Sequence, residues 1–407
     1  MSDKKLKMSD PGNGHSHGKE FYSVDVNFSI SAYRGRIYYT SPSYGPAAYI
    51  CSSDLEGGDI RIIAEVEDDF GYSYIHVNAT GIYLYTMWDG DRLLVQHFGF
   101  TGSILSECRE VCEDGHRVSN VYIYDNDVYY VYGYHTDGIS RCQVRCMHVD
   151  TGAVETLYGK ASSIEKLYAA KDRLVFYARY ENEERGQSGK GWMLLDLKRK
   201  SIECISNPYC SPEKVIDSPD MYDPESRNYN ENCDYDRNIV FVDLDRDIFW
   251  TERREIERDG SGNPRMVWYR EPRPLSGDRD RLAPGMPVWK MLEGISSSKK
   301  EYFDGTYHYY AESYSVFKSS DKFGNISDWS AGNDGHGECE GFKVTGGYLF
   351  LDVAAKGEEQ YPLAVRSGRP IRKSWFNDEL PQNAIDSFSG RYEQNPDTKP
   401  PKAENAM

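Results

Sequence analysis

Seven tyrosine-rich strand motifs, a step between them that starts at about 45 residues, and Asp, Asn and Gly turns predict an all-β chain. The fold class is a seven-bladed β-propeller of four-stranded antiparallel blades, with six or eight blades as alternatives. The motifs are Arg36-Ile37-Tyr38-Tyr39-Thr40, Gly81-Ile82-Tyr83-Leu84-Tyr85-Thr86, Asp127-Val128-Tyr129-Tyr130-Val131-Tyr132, Arg173-Leu174-Val175-Phe176-Tyr177, Asp247-Ile248-Phe249-Trp250-Thr251, Thr306-Tyr307-His308-Tyr309-Tyr310 and Gly347-Tyr348-Leu349-Phe350-Leu351. Their first apolar residues stand at 37, 82, 128, 174, 248, 307 and 348, so the steps are 45, 46, 46, 74, 59 and 41 residues. A repeat of this length, made of β-prone segments, marks a stacked or closed array in which each unit buries its faces on its neighbours.

The first repeat sets the pattern. Phe28 to Tyr33 alternates as a strand, Arg34-Gly35-Arg36 turns it, Ile37 to Thr40 returns, Ala47 to Ser52 is third and Ile60 to Val66 fourth. The second repeat has Tyr74 to Val77, Ile82 to Thr86, Leu93 to Phe98 and Leu105 to Val111. In the third, Val121 to Tyr124, Val128 to Tyr132, Gln143 to Val149 and Ala153 to Tyr158 take the same places. Asp125-Asn126-Asp127 and Asp150-Thr151-Gly152 form its turns. The fourth has Ile164 to Ala169, Leu174 to Tyr180, Trp192 to Leu197 and Ile202 to Ser206, with Glu181 to Lys190 predicted as a loop.

Repeats five to seven are looser. Ile239 to Leu244, Ile248 to Arg253 and Met266 to Tyr269 open the fifth, whose last strand is placed near Arg279 to Leu282. The sixth has Glu301 to Phe303, Tyr307 to Glu312, Ser315 to Lys318 and Ile326 to Trp329. The seventh has Gly341 to Thr345, Tyr348 to Ala354, Tyr361 to Val365 and Ile371 to Phe376. Residues 1–20 read as a disordered tail, 21–376 as the propeller, and 377–407 as a largely irregular extension with at most one helical turn near Gln382 to Phe388.

The recurring form, an apolar-Tyr-Tyr-Thr strand, a second strand, then Asp-Leu-x-Gly or Asp-Thr-Gly, runs from Ile37 to Gly57 and from Val128 to Gly152. It resembles bacterial β-propellers of the low-density-lipoprotein-receptor YWTD type over most of residues 25–376. The YWTD tetrapeptide itself is absent; Ile37-Tyr38-Tyr39-Thr40 and Phe249-Trp250-Thr251-Glu252 come nearest. The resemblance implies a binding surface without catalysis.

Composition limits the partners. A net charge of -17, from 48 basic and 65 acidic residues, disfavours nucleic acid and anionic lipid. Met1 to Lys19 lacks an apolar core, and no run of eighteen apolar residues occurs. Nine cysteines at scattered spacing read as reduced thiols. A cytoplasmic monomer that meets a protein or a small ligand, with no nucleic acid and no membrane, is expected.

Strand direction then locates a site. Turns after first and third strands share one face of the disc; connections after second and fourth strands share the other. Glu181 to Lys190, Arg254 to Arg265, Asn207 to Arg237 and Ser276 to Ser298 are all assigned to that second face. Candidate binding residues are Tyr209, Tyr222, Arg227 and Tyr229 from the longest segment, with Arg185, Arg254, Arg258 and Trp289 from its neighbours. Tyr, Trp and Arg bury large area at small entropic cost, which suits an interface.

Other chemistry weighs less. Cys108, Cys112, Cys142 and Cys146 with His116 and His148 invite a zinc site, but strand placement favours buried thiols. Asp217 to Asp236 and Asp321 to Asn325 offer calcium ligands without EF-hand spacing. No metal or cofactor is expected, calcium being the alternative. His76 and His308 are possible proton carriers, yet no Gly-x-Ser-x-Gly elbow, phosphate loop or dinucleotide fingerprint occurs. The predicted function is a non-catalytic binding scaffold; a carbohydrate-active or other hydrolytic enzyme using carboxylates on the same face is the alternative.

Overall fold

The computed structural model describes residues 30–41, 49–54, 58–66, 72–88, 91–136, 139–170, 172–182, 187–206, 239–244, 246–258, 260–286, 288–291, 301–303, 308–312, 315–319, 326–328, 339–345, 348–354, 360–366, 369–371 and 382–394. Its strands form seven four-stranded antiparallel sheets, each built from four strands consecutive in sequence. Sheet one holds β1 to β4, at Ile30–Tyr33, Arg36–Ser41, Tyr49–Asp54 and Arg61–Glu65. Sheet two holds β5 to β8, at Tyr72–Val77, Ile82–Trp88, Arg92–Phe98 and Ile104–Val111. Sheet three holds β9 to β12, at Arg117–Tyr124, Asp127–Thr136, Ile139–His148 and Val154–Ala161. Sheet four holds β13 to β16, at Ser163–Ala170, Arg173–Asn182, Gln187–Asp196 and Ser201–Cys204. Sheet five holds β17 to β20, at Ile239–Asp243, Ile248–Arg258, Pro264–Pro274 and Trp289–Met291. Sheet six holds β21 to β24, at Glu301–Phe303, His308–Glu312, Ser315–Ser319 and Ile326–Asp328. Sheet seven holds β25 to β28, at Cys339–Thr345, Tyr348–Ala354, Gln360–Arg366 and Arg369–Ile371.

Each tyrosine-rich motif becomes the second strand of its sheet. The reason is burial on both sides. Val128, Tyr130 and Tyr132 of β10 pack with Tyr83, Leu93 and Val95 of sheet two, while Tyr129 and Val131 pack with Leu174, Phe176 and Met193 of sheet four. Alternate residues of one strand thus serve two different interfaces, and Val128 to Tyr132 are all buried. The same rule joins sheets one and two through Ile50, Ile75 and Phe98, and sheets four and five through Trp192, Ile205 and Phe249.

Tyrosine suits this position because its hydroxyl can reach across the seam. Tyr83 is fully buried yet donates to Asn126 Oδ1 at 2.9 Å in the next sheet. First strands approach one another: β1 lies against β5, β9 against β13, and β25 against β1, which brings the last sheet back to the first. Consecutive four-stranded meanders around a common axis, with first strands innermost, make this chain a β-propeller.

Two turns demand glycine. At Gly81, with φ +154°, a Cβ would meet Phe98 O at 2.5 Å and His97 Nε2 at 2.6 Å. At Gly102, with φ +93°, it would meet Ile63 O in sheet one at 2.0 Å, so this turn is wedged against the neighbouring sheet.

Three differences from the sequence reading stand out. The described residues of Glu181 to Lys190 and Arg254 to Arg265 are largely strand: pairing continues from Arg173–Asp196 out to Asn182–Gln187, and from Ile248–Pro274 out to Arg258–Pro264. The fourth strand of sheet five is β20, not the stretch near Arg279. Residues 276–288 therefore join a third to a fourth strand and lie on the short-turn face, opposite to the assignment from sequence. There Arg279 grips Glu203 of β16 with both guanidinium nitrogens, at 2.9 and 2.6 Å, tying sheet five to sheet four.

The third difference is the C-terminal helix α1, Gln382–Gln394, where one turn was predicted. It packs on β4, the outer strand of sheet one, with Ala384 and Phe388 buried and Phe388 edge-on to Tyr49 at 6.2 Å. A segment that follows sheet seven thereby covers the exposed edge of sheet one.

Candidate functional site

Second and third strands outrun the rest of the sheet in three successive sheets, always at the same end. In sheet three, β10 passes its last β9 pair, Gly133–Arg117, by Tyr134, His135 and Thr136. In sheet four, β14 passes the Ser163–Arg179 pair by Tyr180, Glu181 and Asn182. In sheet five, β18 passes the Ile239–Thr251 pair by Glu252 to Arg258, and the hairpin passes the last pair of β20, Trp268–Met291, by Glu255 to Arg258, an overhang of roughly 13 Å beyond both neighbours at the usual strand rise. These three hairpins stand on one face of the disc as arms.

The arm of sheet five is held straight by paired charges. Glu252 and Arg270 face each other in register and form an ion pair, their side chains 3% and 0% exposed. Removing either member would strip a buried charge of this ion-pair partner, at a cost of about 3–5 kcal/mol. On the opposite side of the ribbon Arg253 bonds Glu271 at 2.5 Å, pairs with Glu255, and lies over the Tyr269 ring at 4.6 Å. Tyr269 donates to Glu257, and that acceptor, with some burial, pushes the phenol pKa up. Arg273 bonds Glu271 at 2.8 Å. At the tip Ile256 is 70% exposed, and Arg258 Nη1 donates to Gly262 O at 2.9 Å, closing the turn.

A second cluster lies on the same face, in the seam between sheets two and three. Glu110 of β8 accepts from the buried Tyr130 hydroxyl and from Arg145 Nη1 at 3.1 Å. The Arg145 guanidinium sits 3.5 Å from the centre of the Tyr132 ring, and Tyr132 OH is 2.7 Å from His116 Nδ1. Burial raises the Tyr130 and Tyr132 pKa values, so both phenols stay protonated. Cys112, beside this cluster, is pushed up to about 11 by burial and by Glu110 and Asp91. Sequence reasoning passed over Arg145, Tyr132 and Glu110, because nothing in the strand patterns shows which side chains meet across a seam.

Of the eight predicted binding residues, three fall on described strands. Arg254 lies on the sheet-five arm, Arg258 at its tip, and Trp289 opens β20 opposite Arg270, well below the tip. Arg185, Tyr209, Tyr222, Arg227 and Tyr229 lie outside the described residues. The six cysteine and histidine positions weighed for zinc do not gather in one place; of them, Cys146 and His148 come close to each other. Cys142 bonds Ser162 O at 3.7 Å near the arm end of β11, His116 sits at Tyr132, and Cys146 and His148 lie at the far end of β11. His76 is buried beside Asn78. The two acidic stretches weighed for calcium fall outside the described residues.

No family model matches the chain, and no curated protein matches it by sequence. The YWTD likeness accordingly remains a likeness of motif. Among solved structures, similarity is found to the polysaccharide lyase Uly1, at 9% identity over 88% of this chain and 93% of that one, with a TM-score of 0.45. It is found also to the β-propeller domain of the Trilobed protease from Pyrococcus furiosus, at 11% identity over 88% and 98%, TM-score 0.46. A Mycobacterium tuberculosis puromycin-hydrolyzing peptidase matches at 9% identity over 89% of this chain and 55% of its own, TM-score 0.47. At such identities these likenesses concern fold and carry no activity across. Among the described residues, no helix is long and apolar enough to cross a membrane.

Proposed function

We propose that this chain is a non-catalytic binding propeller that takes a protein partner on the arm face of sheets three to five. The observation that carries the reading is the sheet-five arm, whose last four residues on β18, Glu255 to Arg258, stand clear of both β17 and β20, stiffened by ion pairs, with Ile256 exposed at its end. A rigid ribbon loses little entropy on docking, and an apolar side chain ringed by Arg and Glu gives both contact area and register. The reading extends to Arg254, Arg258 and Trp289 on the described strands and to Arg185, Tyr209, Tyr222, Arg227 and Tyr229 beyond them. It takes the repeat as YWTD-like and the molecule as a cytoplasmic monomer needing no cofactor. Free thiols at Cys51, Cys108, Cys112, Cys142, Cys146 and Cys204 are in keeping with a reducing compartment.

A photo-crosslinking residue placed at Arg258, and another at Thr151 on the short-turn face, tests this in cell lysate. Discrete adducts from position 258 and none from 151 are expected. The reverse pattern would refute it.

One observation favours a hydrolytic or carbohydrate-active enzyme instead. The His116–Tyr132 pair beside Arg145 and Glu110 contains groups able to move a proton. Against it, Arg145, Tyr132 and Glu110 are already bonded to one another or to His116, as a seam would require. Turnover of a glycan panel, abolished by Glu110→Gln or His116→Gln, would favour the enzyme; binding without turnover favours the scaffold.

A further inference from the structure

The short-turn face of sheet three, remote from the arms, carries a cluster that the binding reading does not use. Asp127 opens β10 and stands opposite His148 at the end of β11. Cys146 lies two residues before His148, and strand alternation sends both side chains to the same side as Asp127. Their donor atoms all lie within 4.8 Å of one another, with His148 Nδ1 and Asp127 Oδ1 at 2.6 Å.

We propose that Asp127, Cys146 and His148 bind zinc. A thiolate, an imidazole and a carboxylate form a borderline-soft donor set that suits zinc and is poorly matched to magnesium or calcium. In a tetrahedral zinc site, donor atoms stand about 3.3–3.8 Å apart, so the three groups close on an ion with shifts of about 1 Å or less. Two strands in fixed register supply all three ligands, which leaves little to organise.

The surroundings are graded from dry to wet. Cys146 is 3% exposed in the core between sheets three and four, whereas the His148 and Asp127 side chains are 44% and 35% exposed. An ion held there keeps its fourth position toward solvent, the arrangement of an open site. Tyr129 stands opposite Cys146 on β10, and Glu155 stands opposite it on β12, adding negative charge near the cation. Binding breaks the Cys146 S–H bond and forms a sulfur–zinc bond; the proton leaves to water and no electron is transferred.

Cobalt(II) titration of the full-length chain tests this, with zinc added afterwards as competitor. The chain would carry His15→Ala and His17→Ala so that its N-terminal histidines do not contribute. One equivalent should produce a thiolate-to-cobalt charge-transfer band that zinc displaces. Cys146→Ser should abolish the band, Asp127→Asn and His148→Gln should each weaken zinc binding by about tenfold or more, and Cys142→Ser, on the same strand but outside the cluster, should change nothing. Asp127 and His148 are partly exposed, so those two variants decide the matter even if Cys146→Ser does not fold. Absence of a thiolate band, its survival in Cys146→Ser, or unchanged affinity in both surface variants would overturn the proposal.

Discussion

His97 shows how one buried side chain ties stability to pH. Its ring stacks on Tyr83 at 4.3 Å, its Nε2 donates to Thr80 O at 3.1 Å, and its Nδ1 is buried with no partner among the described residues. Protonation would place a second N–H where no acceptor stands, and burial lowers the pKa below the usual 6.5 despite the Thr80 bond. Below 6.5 the unfolded chain takes up a proton that the folded chain refuses. The contribution of His97 is therefore intact above 6.5 and is lost as pH falls through the depressed value. Melting curves of the wild type and His97→Phe should diverge in slope against pH only on the acidic side of 6.5. Thiols report burial in the same way. Cys51 and Cys146 are pushed up to about 12 by burial, so the native chain at pH 8 should leave both unalkylated by iodoacetamide while the denatured chain reacts at both.

At the scale of the element, second strands were legible because both of their faces are apolar. Val128, Tyr130 and Tyr132 announce one interface, Tyr129 and Val131 the other, and the pattern needs no partner to be seen. The outer part of the sheet-five arm, from Arg254 to Arg265, was not legible. Glu252-Arg253-Arg254-Glu255 has no apolar alternation; what makes it a strand is Glu252 against Arg270 and Arg253 against Glu271, pairs that exist only once the hairpin is in register. For the same reason Asp127 was not joined to Cys146 and His148: only pairing across two strands brings it opposite. Replacing Ile256 to Met266 by an Asn-Gly turn, which keeps Glu255 opposite Val267, should remove partner binding and shift the melting temperature little, because that segment lies beyond the buried Glu252–Arg270 pair. Glu252→Gln should do the opposite, lowering stability by about 3–5 kcal/mol in chemical denaturation.

Across the whole molecule, length, repeat spacing and turn chemistry sufficed for the architecture, while the closure of the ring stayed hidden. Among the residues of α1 whose side chains are described, two apolar ones, Ala384 and Phe388, are buried, too few to stand out in a polar tail. Phe388→Ala should cost about 3 kcal/mol or less, since the helix is peripheral and can adjust. Its effect should appear as faster amide exchange in sheet one, with core protection in sheets three and four unchanged.

Among the described residues no blade lends a strand to another: each of the seven sheets is built from consecutive sequence, and the ends meet through packing of β1 on β25 and of α1 on β4. Such a ring has no privileged starting point. New termini opened between β12 and β13, with the old ones joined by a linker, would leave every hydrogen-bonded ladder uncut, and lengthening or shortening the wheel by one whole spoke is the natural unit of change for a chain of this kind.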